Sequence, residues 1–97
     1  VKFKKNPSIK IPHIGWNKVI FKKKNILLEE IEDNYFYFTH SYHINNEIDV
    51  KHVLADTNYS YNFPSIVSKN NIYGVQFHPE KSYRQGLQII KNFLEKC

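Results

Sequence analysis

Gly74-Val75-Gln76-Phe77-His78-Pro79-Glu80-Lys81-Ser82 is the stretch on which the reading of this chain turns. It opens on Ile72-Tyr73-Gly74-Val75-Gln76-Phe77, a run with the aromatic and β-branched character of a strand. Beyond it the period changes. Leu87, Ile90, Phe93 and Leu94 recur at helical spacing, and Ser82-Tyr83-Arg84-Gln85 has the Ser-x-x-Gln form of a capping box. The sequence therefore predicts an N-cap at Ser82 and a helix over 83–95. His78 and Glu80 fall in the turn between the C-terminal end of a strand and the start of a helix, where open α/β sheets place their ligand crevice.

Pro79 fixes its own φ and pushes His78 toward extended geometry, so the side chains of His78 and Glu80 can point to the same side. A carboxylate that accepts a hydrogen bond from one imidazole nitrogen leaves the other free as a general base. That supplies two of the three members of a nucleophilic triad. A bare His-x-Glu pair in a surface turn is more commonly a structural ion pair; set between a buried strand and a helix, the pattern is far more specific.

Working outward, Tyr35-Phe36-Tyr37-Phe38-Thr39 is apolar on both alternating faces and reads as a central strand covered on both sides. Val19-Ile20-Phe21, His52-Val53-Leu54-Ala55 and Ser65-Ile66-Val67 are further short strands, with Lys69-Asn70-Asn71 as a turn. Residues 25–33 read as a turn of helix or a loop ending in an acidic, solvated edge. Short spacings favour antiparallel neighbours. Tyr59-Ser60-Tyr61 reads equally as a surface aromatic patch or an edge segment.

Ninety-seven residues make at most one small domain. The 41% hydrophobic and 24% charged content excludes disorder, and no apolar run reaches the roughly 20 residues of a membrane-spanning helix or resembles a signal peptide. A cytoplasmic location is the default expectation. The net charge of +5 rests on thirteen lysines against one arginine, with runs at residues 2–5 and 22–24. Nucleic-acid recognition leans on Arg with surface aromatics, so a solvated basic face is the better account. Cys97, the single cysteine, allows no intrachain disulfide. His13, His40, His43 and His52 lack zinc-site spacing, and no metal or cofactor is expected. Ser41 beside His40 invites a hydroxyl-nucleophile reading, but neighbours on a strand face opposite ways.

Three blocks give the chain a family resemblance: Ile11-Pro12-His13-Ile14-Gly15-Trp16-Asn17, then Tyr37-Phe38-Thr39-His40-Ser41-Tyr42, then Val75 to Ser82 continuing into Gly86-Leu87. In order and spacing they resemble the triad, or class I, glutamine amidotransferases, and within these the glutaminase subunits of imidazole glycerol phosphate synthases. The resemblance implies an α/β fold: the C-terminal half of a Rossmann-like amidotransferase domain, mainly antiparallel strands plus a C-terminal helix, with residues 1–97 forming part of one domain. It also implies hydrolysis of glutamine to glutamate and ammonia for histidine biosynthesis. His78 would be the base and Glu80 its orienting carboxylate, while the backbone at Ser41 and Tyr42 would hold the glutamine. Trp16, Tyr37 and Lys81 would face a partner, a cyclase subunit with a (β/α)8 barrel, in a heterodimer.

The nucleophilic cysteine and Gly-rich elbow of that family have no counterpart here, and Cys97, which follows the terminal helix without flanking glycines, is no substitute. Together with the absence of methionine, this leads to the expectation that the chain is a part of a longer reading frame and inactive alone. Two alternatives stand beside the main reading: a paralogous glutaminase serving another pathway, such as surface-sugar amidination, and a non-catalytic basic binding module. Association with a barrel subunit that is independent of salt favours a glutaminase, and steeply salt-dependent nucleic-acid binding favours the module.

Overall fold

A computed structural model describes residues 1–3 and 11–97. The lysine run at residues 2–5 therefore lies partly outside the described residues. The described chain forms two antiparallel sheets and one long helix. Strand β1 (His13–Lys18) pairs with β3 (Tyr35–His40) in a two-stranded ribbon. Strands β2 (Ile20–Phe21), β4 (Val53–Tyr59), β5 (Tyr61–Lys69) and β6 (Ile72–Val75) make a four-stranded sheet in the order β2-β4-β5-β6. Helix α1 (Tyr83–Lys96) closes the chain. The α/β class with antiparallel strands and a C-terminal helix is as the sequence implies.

Alternation decides what lies inside. On β3, Phe36 and Phe38 are buried while Tyr35 and Thr39 are exposed. The expectation of a central strand covered on both faces is corrected here: among the described residues β3 has one strand partner, and only its Phe36–Phe38 side is buried. Phe36 and Phe38 meet Phe77 at ring-centroid distances of 4.3 and 5.9 Å, and a second aromatic group gathers around Phe3 and Phe63. Each fully buried phenylalanine is worth about 1.5–3 kcal/mol relative to exposure, so this cluster is the main stabilising term.

Several boundaries depart from the sequence reading. β1 carries no strand pattern in the sequence because polar and glycine residues hide it, and Gly15 holds φ +125°, a conformation that suits glycine. β5 runs nine residues through Pro64, lying beside β6 only over Ile66–Lys69. β6 stops at Val75, and Phe77 leaves the sheet to enter the core. Tyr59-Ser60-Tyr61 is the tight turn joining β4 to β5, with Ser60 at φ +72°.

The helix start also differs. Ser82 occupies the N-cap, but neither its hydroxyl nor the Gln85 amide caps the helix. The Ser82 hydroxyl donates to the His78 carbonyl and accepts from Tyr37 N–H, and the Gln85 amide donates to the Tyr35 carbonyl. The apparent capping box is a fastening to β3. Nor are the four residues whose spacing predicts α1 the ones it buries: Gln85, Gly86, Ile89 and Asn92 face inward, whereas Leu87, Phe93 and Leu94 are exposed. Asn92 is buried because its amide donates to the carbonyls of Leu27 and Glu29, 2.9 and 2.7 Å away. That bond pair ties α1 to the 3-10 turn Ile26–Leu28.

Gly86 sets how closely α1 approaches the turn before it. A Cβ there would lie 1.9 Å from the Pro79 carbonyl oxygen. Gly86→Ala must therefore displace backbone, and overpacking of this kind costs about 1–3 kcal/mol or more. The expected outcome is a Tm lower by roughly 5 °C or more in thermal unfolding, while Leu87→Ala, at an exposed position of the same helix, moves Tm by no more than about 2–3 °C.

Candidate functional site

His78 leaves β6 by way of Gln76, whose N–H still donates to Ser65, and buried Phe77. Its own N–H donates to the Tyr37 carbonyl at 2.9 Å, so the chain docks beside β3 as it turns. Pro79–Lys81 then form one 3-10 turn, closed by Lys81 N–H to the His78 carbonyl and Ser82 N–H to the Pro79 carbonyl, both 3.1 Å. Both ends of the turn are bonded to Tyr37. The backbone carrying His78 and Glu80 is thus held from the strand side and from the helix side.

The side chains meet as the sequence pattern allows. His78 Nδ1 donates to Glu80 Oε1 at 2.9 Å, which fixes the imidazole in the tautomer with its proton on Nδ1. Nε2 has no hydrogen-bond partner among the described residues, and the ring is 37% exposed. Glu80 is held below the usual carboxylate range, first by its own backbone N–H and then by the His78 bond. Chemically this is a base with a free lone pair, an ionised orienting group and an open approach.

Ser41 and Tyr42 continue β3 beyond His40, roughly 13 Å further along the strand line than Tyr37. Ser41 carbonyl accepts from Phe3 N–H at 3.0 Å, and Tyr42 forms an antiparallel bridge with Lys2. Trp16 and Tyr37 are cross-strand partners on the open face of the ribbon, their rings edge-to-face at 5.9 Å, with Trp16 52% exposed. Trp16 is therefore no core anchor. Lys81 is exposed within the 3-10 turn. Cys97 sits at the far end of a 14-residue helix, roughly 20 Å from the His78 turn. The lysines at 22–24 face solvent; Lys22 approaches Asp56 at 3.6 Å and Lys23 donates to the Val50 carbonyl.

Spacing in the sequence tests His13 and His40 as metal ligands but says nothing of a contact between the two rings, and among the described residues no cluster of metal-binding type occurs. Their actual arrangement is a hydrogen-bonded pair, His13 Nδ1 to His40 Nε2 at 2.9 Å. His13 is buried, stacked between Tyr59 at 3.9 Å and Phe38 at 4.8 Å. Burial, with His40 adding to it, pushes its pKa down from 6.5 to about 4. His40 is lowered too, by burial first, with the Tyr42 carbonyl working against the shift and the charges of His43 and His78 adding to it. The cross-strand register His13↔His40 was the missing signal.

Comparison with known proteins adds family context. A model of the class-I glutamine amidotransferases matches residues 4–97. The chain is 52% identical over 98 residues to the imidazole glycerol phosphate synthase subunit HisH 2 of Methanococcus maripaludis, covering 100% of the chain and 48% of that relative. It is 49% identical over 87 residues to the HisH subunit of Methanocaldococcus jannaschii, covering 89% and 43%. Against the HisH subunit of Buchnera aphidicola it is 49% identical over 89 residues, covering 91% and 44%. The chain spans about half the length of the curated relatives it matches. Among the described residues no helix is long and apolar enough to cross a membrane.

The His13 shift gives a pH dependence with a definite sign. Between pH 4 and 6.5 the unfolded chain binds a proton at His13 that the folded chain does not, so stability rises with pH through that window and is lost as pH falls from about 6.5 toward about 4. Urea midpoints measured across this range should fall on acidification. In His13→Asn the midpoint at neutral pH should be lower and the acid slope shallower.

Proposed function

The chain belongs to the class I glutamine amidotransferases, and from that premise we propose that it supplies the His-Glu pair of a glutaminase, as the C-terminal part of a domain whose nucleophilic cysteine lies outside these 97 residues. The observation that carries this reading is the 2.9 Å bond from His78 Nδ1 to Glu80 Oε1, with Nε2 left open. His78 Nε2 takes the thiol proton as sulfur attacks the carboxamide carbon of glutamine. The resulting imidazolium returns that proton to the amide nitrogen, which leaves as ammonia, and water then hydrolyses the thioester to release glutamate. Glu80 keeps the ring in the required tautomer and stabilises the imidazolium.

In this reading the backbone at Ser41 and Tyr42 receives the glutamine. Ammonia passes to a partner in an imidazole glycerol phosphate synthase, a cyclase subunit with a (β/α)8 barrel, in the cytoplasm and within histidine biosynthesis. The similarity to HisH subunits of imidazole glycerol phosphate synthases supports the synthase assignment. The open ribbon face with Trp16 and Tyr37, beside the turn that bears Lys81, supports the docking side.

The test joins this chain behind the N-terminal half of the Methanococcus maripaludis relative and assays glutamine-dependent ammonia release with the synthase partner. The unmodified hybrid should be active and the 97-residue chain alone should not. His78→Ala should lose about four orders of magnitude in kcat and Glu80→Gln at least about tenfold. Wild-type rates in both variants would remove the triad assignment.

The docking side is tested separately. Trp16→Ala and Lys81→Ala should each weaken partner binding by about tenfold or more in titrations. Synthase turnover with free ammonia in place of glutamine should stay at the unmodified level. Unchanged affinity in both would remove the interface while leaving the triad standing.

A further inference from the structure

A directed chain of hydrogen bonds runs from β1 to the loop after β3. Lys18 N–H donates to Asn17 Oδ1 at 2.7 Å, and Asn17 Nδ2 donates to the Asn58 carbonyl at 2.9 Å, so the orientation of the Asn17 amide is fixed by two backbone groups. The same Nδ2 lies 3.2 Å from His13 Nε2, which must accept. His13 Nδ1 then carries the proton and donates to His40 Nε2 at 2.9 Å. At the other end His40 Nδ1 lies 2.8 Å from the Tyr42 carbonyl, which only accepts. Both ends of the chain are backbone groups of fixed polarity, so neither ring has a choice of tautomer.

The bond reaching Tyr42 acts on the backbone. A trans peptide is planar with its C=O and N–H pointing oppositely, so fixing one group aims the other. The Ser41 carbonyl is committed to Phe3 N–H, which sends the Tyr42 N–H the other way. The Tyr42 carbonyl is committed to His40, which does the same for His43 N–H, bonded in turn to the Val1 carbonyl at 2.6 Å. Two successive peptide planes are thus set where the chain leaves β3. The His40 ring itself lies against both Phe3 and Phe63, at 5.0 and 5.4 Å.

We propose that His40, locked in its Nδ1–H tautomer by His13 and Asn17, is the positioning residue for the glutamine-holding backbone at Ser41 and Tyr42. This rests on the glutaminase reading above. His40 touches no reacting atom; it acts through the Tyr42 carbonyl. A proton added to the pair would require His13 Nδ1 or Asn17 Nδ2 to accept, which the fixed Asn17 amide forbids, so acid breaks the chain. The titratable groups facing the pair are His43, Tyr59 and His78; burial first, and then the charges of His43 and His78, lower the basicity of His40.

The first arm uses the 97-residue chain itself. Imidazole nitrogen-15 spectra at pH 7 should show His13 and His40 both protonated on Nδ1, against the usual preference for Nε2; an Nε2–H tautomer at His40 overturns the proposal whatever the hybrid does. The second arm measures glutamine kinetics in the hybrid. His40→Phe, which keeps the ring packing but donates nothing, should raise KM for glutamine about tenfold with kcat within about threefold. His40→Asn, whose Nδ2 can stand in for Nδ1–H, should return KM to within about threefold of the unmodified value. The acid-side rise in KM expected of the unmodified hybrid should be absent in His40→Asn. Equal KM in all three proteins, or equal losses in Phe and Asn variants, overturns the positioning role. An inactive unmodified hybrid overturns the glutaminase reading and the substrate side of this proposal with it, and the spectra still decide the tautomer chain.

Discussion

Tyr37 gives both of its backbone groups on one edge to the turn that follows β6. Its carbonyl accepts from His78 N–H at 2.9 Å, and its N–H donates to the Ser82 hydroxyl at 2.9 Å. The same hydroxyl donates to the His78 carbonyl at 2.6 Å. Ser82 is fully buried, so its hydroxyl has no water to replace these partners, and leaving it unpaired costs about 1–3 kcal/mol. With both ends pinned to one residue, five residues from His78 to Ser82 have almost no freedom left. The 2.9 Å approach of His78 to Glu80 is a consequence of that closure more than of the attraction between the two side chains, which are partly open to solvent.

The same closure dictates what α1 buries. Helix entry is forced at Ser82, and Tyr83 turns the backbone through φ +55°, a left-handed conformation costly for a tyrosine. Gly86 must pass the Pro79 carbonyl closely, so its side of the helix faces inward, and Gln85, Ile89 and Asn92 follow by the helical period. Two amides consequently lie inside and are satisfied by carbonyls of β3 and of the 26–29 segment. Leu87 and Leu94 are left outside at 61% and 73% exposure.

These particulars explain what was legible in the sequence. The helix, the turn holding His78 and Glu80, and the strand character of residues 35–39 all come from local pattern, and local pattern carried them. The buried face of α1 did not, because tertiary carbonyls made Gln85 and Asn92 cheaper to bury than hydropathy implies. Ser82 and Gln85 matched a capping box in spelling, while their partners lay some forty-five and fifty residues away on β3. β1 was invisible as a strand because its inward positions are His13, Gly15 and Asn17, residues that hydropathy assigns to loops. Only the pairing with β3 reveals what they do.

All five imidazoles of the chain present Nδ1 to an acceptor, and three of them bear on the site. His78, His13 and His40 each donate from Nδ1 to an acceptor placed by the backbone: a carboxylate two residues on, a facing histidine, and a carbonyl two residues on. Surroundings then separate their roles. His78 has an ionised partner and an exposed ring with a free Nε2, conditions under which a proton can be taken up and given back. His13 sits between aromatic rings with both nitrogens engaged, and taking up a proton would cost it a hydrogen bond as well as solvation. Identical side chains therefore divide into one whose Nε2 stands open and a pair whose ring nitrogens are all engaged, and β3 carries the backbone bonds that hold both kinds in register.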